Sequence, residues 1–115
     1  MTNAADDIVE IGPEEAAERV ANGAFLLDVR EPDEWEAGRA PQAYHIPLGD
    51  LEARWKEIPA GKDVVCVCRG GGRSARATAA LATLGLSAVN LAGGMRAWDA
   101  ANLPVVAEAG PGSVI

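Results

Sequence analysis

Short apolar runs alternate with stretches of helical spacing along this chain, and the two periods assign its elements. Residues 8–11 read as a first strand. Gly12-Pro13-Glu14-Glu15 then opens a helix, because proline suits a first turn and acids suit the positive end of the helix dipole. Gly23 stops it. Residues 25–29 are apolar except for Asp28 and read as a buried strand. Residues 32–37 form a helical turn that Gly38 ends. Residues 43–46 are a short third strand, and residues 51–58 fit a helix with Asp50 as N-cap. Residues 63–68 are the most strongly β-like segment, apolar after Asp63, and are expected at the centre of a sheet. Residues 74–84 are expected to be helical, with Ala77, Ala80, Leu81 and Leu84 on one face and Gly85 as the stop. Residues 88–91 give a fifth strand and residues 95–101 a last helix. This alternation predicts an α/β fold with a central, mainly parallel five-stranded sheet and helices on both faces.

The length, 115 residues, is that of one ordinary domain, and 49% hydrophobic with 23% charged residues is globular composition. Residues 1–106 are assigned to that domain and residues 107–115 to a loose C-terminal tail. The longest uncharged stretch near the centre, residues 74–87, is broken by Arg76 and is too short to span a bilayer. The first ten residues are polar and acidic without an apolar run, so no secretory signal is visible and the cytoplasm is the expected location.

Charge changes the picture by region. The net charge of −7 argues against nucleic acid, whose phosphates demand a basic footprint. Between Val64 and Trp98, however, there is no Asp or Glu, only Arg69, Arg73, Arg76 and Arg96. That window carries +4, which leaves −11 for the remainder. Three of those arginines cluster beside a cysteine, which points to a small anion site on an acidic molecule.

Two cysteines, Cys66 and Cys68, stand in Val-Val-Cys-Val-Cys. On one strand their Cα atoms would lie about 6.6–6.8 Å apart with parallel side chains, a poor geometry for a disulfide. Two thiols and the single histidine, His45, fall short of a closed zinc site, so no metal is expected. Both read as reduced thiols. Cys66 lies inside the apolar run, where packing is its expected role.

The distinctive chemistry converges on Cys68-Arg69-Gly70-Gly71-Gly72-Arg73-Ser74. A buried strand ends at a thiol, three glycines follow, and a helix is expected to begin with Ser74 as its N-cap. Ligands of open parallel sheets bind outside the carboxyl ends of the strands, where this loop falls. Glycines let the backbone turn its N–H groups inward into a nest, and the helix start adds free donors. Those donors, with Arg69, Arg73 and Arg76, should favour the thiolate of Cys68, its reactive form, and would equally hold the anionic terminal sulfur of a persulfide.

Three blocks give the chain a family resemblance. Asp28-Val29-Arg30-Glu31-Pro32-Asp33-Glu34-Trp35-Glu36-Ala37-Gly38 is similar to the N-terminal signature of single-domain rhodaneses. Cys68-Arg69-Gly70-Gly71-Gly72-Arg73-Ser74 resembles their active-site loop. Leu91-Ala92-Gly93-Gly94-Met95-Arg96-Ala97-Trp98, followed by Leu103-Pro104-Val105, resembles their C-terminal signature. The match spans about residues 8–106. It implies a rhodanese-like fold and a sulfurtransferase that moves a sulfane sulfur from thiosulfate or a similar donor to a thiol, thioredoxin-like or cyanide acceptor. Cys68 would be the nucleophile and sulfur carrier. Backbone N–H groups from Arg69 to Arg73 would cradle the persulfide, with Arg69, Gly70, Gly71, Gly72, Arg73 and Ser74 forming the substrate site. Neither metal nor organic cofactor is implied. A sulfur-relay or partner-binding module with little free-standing turnover is the alternative.

A cysteine phosphatase is disfavoured. Tyrosine-phosphatase loops place five residues between cysteine and arginine, whereas four stand between Cys68 and Arg73, a cavity better suited to one sulfur than to a phosphate. The family's usual Gly-His-Ile-Pro-Gly-Ala is replaced by Gly38-Arg39-Ala40-Pro41-Gln42-Ala43, a change in a turn away from the cradle. Asp28, Arg30 and Glu34 are expected to hold the first signature loop as structural support, with Asp28 and Arg30 facing opposite sides and each requiring its own partner. His45 is expected to tie down backbone, Trp35, Trp55 and Trp98 to anchor packing, and Gly93-Gly94 to form a turn.

Overall fold

The computed structural model describes residues 8–115. The acidic start of the chain, from which the absence of an export signal is inferred, lies outside them up to Asp7. Five strands form one sheet in the order β1-β5-β4-β2-β3, every neighbouring pair parallel. They are β1 (Glu10–Ile11), β2 (Phe25–Asp28), β3 (Tyr44–His45), β4 (Val64–Val67) and β5 (Ala88–Leu91). The helices are α1 (Pro13–Ala21), α2 (Pro32–Ala37), α3 (Leu51–Arg54), α4 (Gly72–Thr83) and α5 (Gly94–Ala100). The predicted α/β architecture is therefore the observed one.

Period two sorts the strand residues between two apolar layers. Leu26, Val65, Val67 and Leu91 face α1 and α5, where Val20, Met95 and Trp98 fill the core. Leu27, Val64, Cys66 and, just past the strand end, Cys68 join Leu51, Ala77 and Leu81 from α3 and α4. All four residues of β4 are buried, as expected of a central strand hydrogen-bonded on both edges. Trp98 is 1% exposed, and its Nε1–H donates to the Pro104 carbonyl at 2.8 Å.

Several expectations are corrected. The first strand is only Glu10–Ile11. The third helix is one turn of α-helix that tightens into a 3₁₀ turn over Trp55–Glu57, and Asp50 makes no side-chain cap. The buried stripe of α4 is Ser74, Ala77, Thr78 and Leu81, whereas Ala80 and Leu84 are exposed. Both stripes have helical spacing, but the polar Ser74 and Thr78 occupy inward positions because they have partners there. Residues after Val106 do not trail loosely. Strands β6 (Val106–Ala107) and β7 (Gly110–Pro111) form an antiparallel hairpin, and β6 exchanges backbone hydrogen bonds with Arg39. The Ser113 N–H then donates to the Ala37 carbonyl, and Val114 packs against the α1/α5 core. Backbone pairing and apolar burial hold this segment, and its composition carries neither signal. Among the described residues no helix is long and apolar enough to cross a membrane.

Candidate active site

Strand β4 delivers Cys68 to the carboxyl end of the sheet, and the chain turns there into α4. The loop is pinned from one side by the start of α5. Met95 N–H donates to the Cys68 carbonyl at 2.8 Å and Arg96 N–H to the Arg69 carbonyl at 3.1 Å. This approach requires Gly94, since a Cβ there would overlap the Cys68 carbonyl oxygen and lie 2.6 Å from the Arg69 carbonyl carbon. Asn90 of β5 supports the loop from behind, its Nδ2 donating to the Gly71 carbonyl at 3.1 Å.

The turn closes around the sulfur. Gly71 adopts φ +111°, the left-handed region that glycine tolerates, and caps α4. Its N–H donates to Cys68 Sγ at 3.1 Å, and the Ser74 hydroxyl donates to the same sulfur at 3.3 Å. Ser74 is thus not the N-cap. The helix begins two residues earlier, and Ser74 sits in its first turn with its side chain directed at the thiol. Burial pushes the Cys68 thiol up, but the Ser74 hydroxyl and the amides of Ser74, Gly71 and Gly70 outweigh it, so its pKa is lowered. The Cys66 thiol goes the other way. Full burial pushes it up to about 12, with the Thr78 hydroxyl opposing weakly and the nearby Cys68 adding to the rise. The two thiols are thus shifted in opposite directions, Cys68 toward its thiolate and Cys66 away from it. Both are free thiols.

The structure brings the predicted arginines to the loop but gives their side chains protein partners. Arg73 donates both Nη atoms to the Glu34 carboxylate, at 2.6 and 2.9 Å. That hydrogen bond lowers the Glu34 carboxyl to about 2 against the opposing effect of burial, and it raises Arg73. Arg69 Nε donates to the Ile115 carbonyl at 2.7 Å. Arg76 and Arg96 are exposed.

Asp28 and Arg30 are corrected more fully. Alternate residues of an extended chain share a side, so the two meet each other rather than separate partners. Arg30 Nη2 lies 2.8 Å from Asp28 Oδ2, and both side chains are fully buried. Arg30 also donates to the carbonyls of Gly38 (2.7 Å) and Glu34 (3.2 Å), tying down the C-terminal end of α2. Glu34 therefore bridges two sites, its carbonyl on Arg30 and its carboxylate on Arg73. His45 Nε2 lies 2.7 Å from the Arg30 carbonyl oxygen, so that nitrogen carries the proton, and the ring stacks on Trp35 at 4.7 Å. Gly94, Asn90 and the Ile115 contact are site features that sequence reasoning missed. A double glycine one residue beyond a strand was the one available signal for Gly94.

A family profile for the rhodanese-like domain matches residues 12–101. The chain is 40% identical over 104 residues to a protein of Allochromatium vinosum named sulfurtransferase, covering 88% of this chain and 97% of that one. It is 36% identical over 97 residues to a Bacillus subtilis protein provisionally named a sulfur carrier, covering 82% of this chain and 52% of that one. Among solved structures, a rhodanese-related protein from Thermoplasma volcanium superposes with a TM-score of 0.82 at 34% identity, covering 87% of this chain and 99% of that one.

Proposed function

The chain belongs to the rhodanese-like domain family, whose members include sulfurtransferases, and from that premise we propose that it moves a sulfane sulfur from thiosulfate or a similar small anion to a thiol acceptor through a persulfide on Cys68. The Cys68 thiolate attacks the outer sulfur of the donor. A sulfur–sulfur bond forms, the bond to the sulfonate sulfur breaks, and its electron pair leaves with sulfite. An acceptor thiolate, or cyanide in an assay, then attacks the terminal sulfur, and Cys68 departs as thiolate. No net oxidant is needed, because the sulfur passes with its electron count unchanged.

The observation that carries this reading is the convergence of the Gly71 N–H and the Ser74 hydroxyl on one lowered-pKa sulfur at the mouth of a parallel sheet. Amide donors fixed in place favour an anion without reorganisation. Gly70 to Ser74 form the proposed cradle. Arg73, held by Glu34, and Arg69, held by the C-terminal segment, supply positive charge beside it and attract the sulfonate end of the donor. The two free thiols suit a reducing compartment, and the cytoplasm is the proposed location.

Mass spectrometry of the intact protein after thiosulfate treatment tests the chemistry. One added sulfur, mapped to Cys68 and removed by reductant, is expected. Cys68→Ser should lose that adduct and all transfer while keeping the melting temperature of the folded domain. Transfer surviving in the variant would refute the assignment. A relay module is a second reading, favoured by the likeness to the provisionally named sulfur carrier. Rapid multiple turnover with a small thiol supports a free-standing enzyme, and slow turnover rescued by an acceptor protein supports a relay.

A further inference from the structure

Asn90 is fully buried behind the sulfur loop, and nothing in the transfer chemistry above uses it. It stands on β5 between Glu10 of β1 and Cys66 of β4. Its Nδ2 donates to the Gly71 carbonyl at 3.1 Å and to Glu10 Oε2 at 2.8 Å. Two acceptors on one side fix the amide's orientation, nitrogen toward the loop and oxygen away. That Oδ1 is buried and has no hydrogen-bond partner among the described residues. An unmet buried acceptor is a penalty that an apolar side chain of the same size would avoid. Packing therefore does not account for an asparagine at this position.

The residue it holds is the one on which the cradle depends. Gly71 presents its N–H to Cys68 Sγ, and its carbonyl accepts from the Ala75 N–H at 3.1 Å as well as from Asn90. Glycine has the widest backbone freedom of any residue, and Gly70 and Gly72 flank it, so the three glycines are held from outside: by Cys68 Sγ, by the Ser74 hydroxyl 3.4 Å from the Gly71 carbonyl oxygen, and by Asn90. A peptide is planar and trans, so its C=O and N–H point in opposite directions. Fixing the Gly71 oxygen therefore fixes the peptide that follows Gly71 and leaves that residue less free to turn its own N–H away from Cys68 Sγ.

We propose that Asn90 is a positioning residue of the sulfur cradle: its amide clamps the Gly71 carbonyl from behind, so that the Gly71 N–H stays aimed at Cys68 Sγ. The purpose of the clamp rests on the sulfur-transfer reading, whereas its effect on Cys68 does not. The whole chain is therefore tested by the pH dependence of Cys68 alkylation with iodoacetamide, a reagent that reads the thiolate and needs no sulfur donor. Asn90→Leu and Asn90→Ser should both move the midpoint to higher pH. They should slow alkylation at neutral pH by about threefold or more, leave the limiting rate at high pH unchanged, and retain the native circular dichroism spectrum. Cys66 does not compete, because burial pushes its thiol up to about 12. A folded variant with the wild-type midpoint overturns the proposal. Should the leucine variant not fold, the smaller serine variant decides, and if neither folds Asn90 is a structural residue and the proposal falls. Failure of the sulfur-transfer reading would show separately, as a missing persulfide in the wild-type protein.

Discussion

Arg73 reaches back across the molecule to Glu34, and this pair makes part of the stability depend on pH. The Arg73 hydrogen bond holds the Glu34 carboxyl at about 2, against an ordinary 4.5. The unfolded chain takes up that proton at higher pH than the folded one, so the stabilisation is complete above about 4.5 and is lost as the pH falls toward 2. Acid unfolding followed by fluorescence should show it: Glu34→Gln is expected to flatten that part of the profile. At neutral pH the variant should lose about 1 kcal/mol, a modest figure because Arg73 is partly exposed and solvent screens the pair. The Asp28–Arg30 pair is a different case, being wholly out of water. Asp28→Ala would strand a buried guanidinium that also holds the carbonyls of Glu34 and Gly38. A loss of about 3–5 kcal/mol, read from urea unfolding, is expected.

The loop from Cys68 to Ser74 is shaped by the elements around it as much as by its own residues. The N-terminal amides of α5 hold the carbonyls of Cys68 and Arg69, and only a glycine at position 94 lets the two backbones approach. Gly94 also sits at φ +60°. Gly94→Ala is therefore expected to cost about 1–3 kcal/mol in urea unfolding and to slow persulfide formation on Cys68. A variant with wild-type stability and rate would show that the α5 contact does not shape the loop. At this scale the sequence was legible where an element has a long apolar or glycine-punctuated pattern. Strands β2, β4 and β5 and helices α1, α4 and α5 fall close to their expected places. The departures occur where tertiary partners override local pattern. Ser74 looks like an N-cap beside three glycines, but the sulfur of Cys68 draws its hydroxyl inward and the helix starts at Gly72.

For the molecule as a whole, the C-terminal segment closes the structure. It pairs with Arg39 through β6, reaches Ala37 through Ser113, packs Val114 on the core and ends on Arg69. Gly38 accepts this segment closely enough that a side chain there would collide with Ser113. Deleting residues 106–115 should lower Tm by several degrees, since at this size each 1 kcal/mol is worth about 4–8 °C. Thermal unfolding of the shortened and full chains checks this. An unchanged Tm would mean that the segment only rests on the surface.

By itself, the sequence determined the order of elements, the parallel sheet and the poised cysteine in its glycine loop. Those signals are local: alternation within a strand, helical spacing within a helix, and seven consecutive residues from Cys68 to Ser74. The tertiary structure alone decided which groups meet across the chain. Glu34 and Arg73 are 39 positions apart, Asn90 and Gly71 are 19, and Arg69 and Ile115 are 46. Side-chain pairing at such separations depends on how strands are ordered and which helix ends converge, and neither leaves a period in the sequence. The loop that surrounds the sulfur was therefore readable residue by residue, while the restraints that hold it in place emerge only once the sheet is assembled.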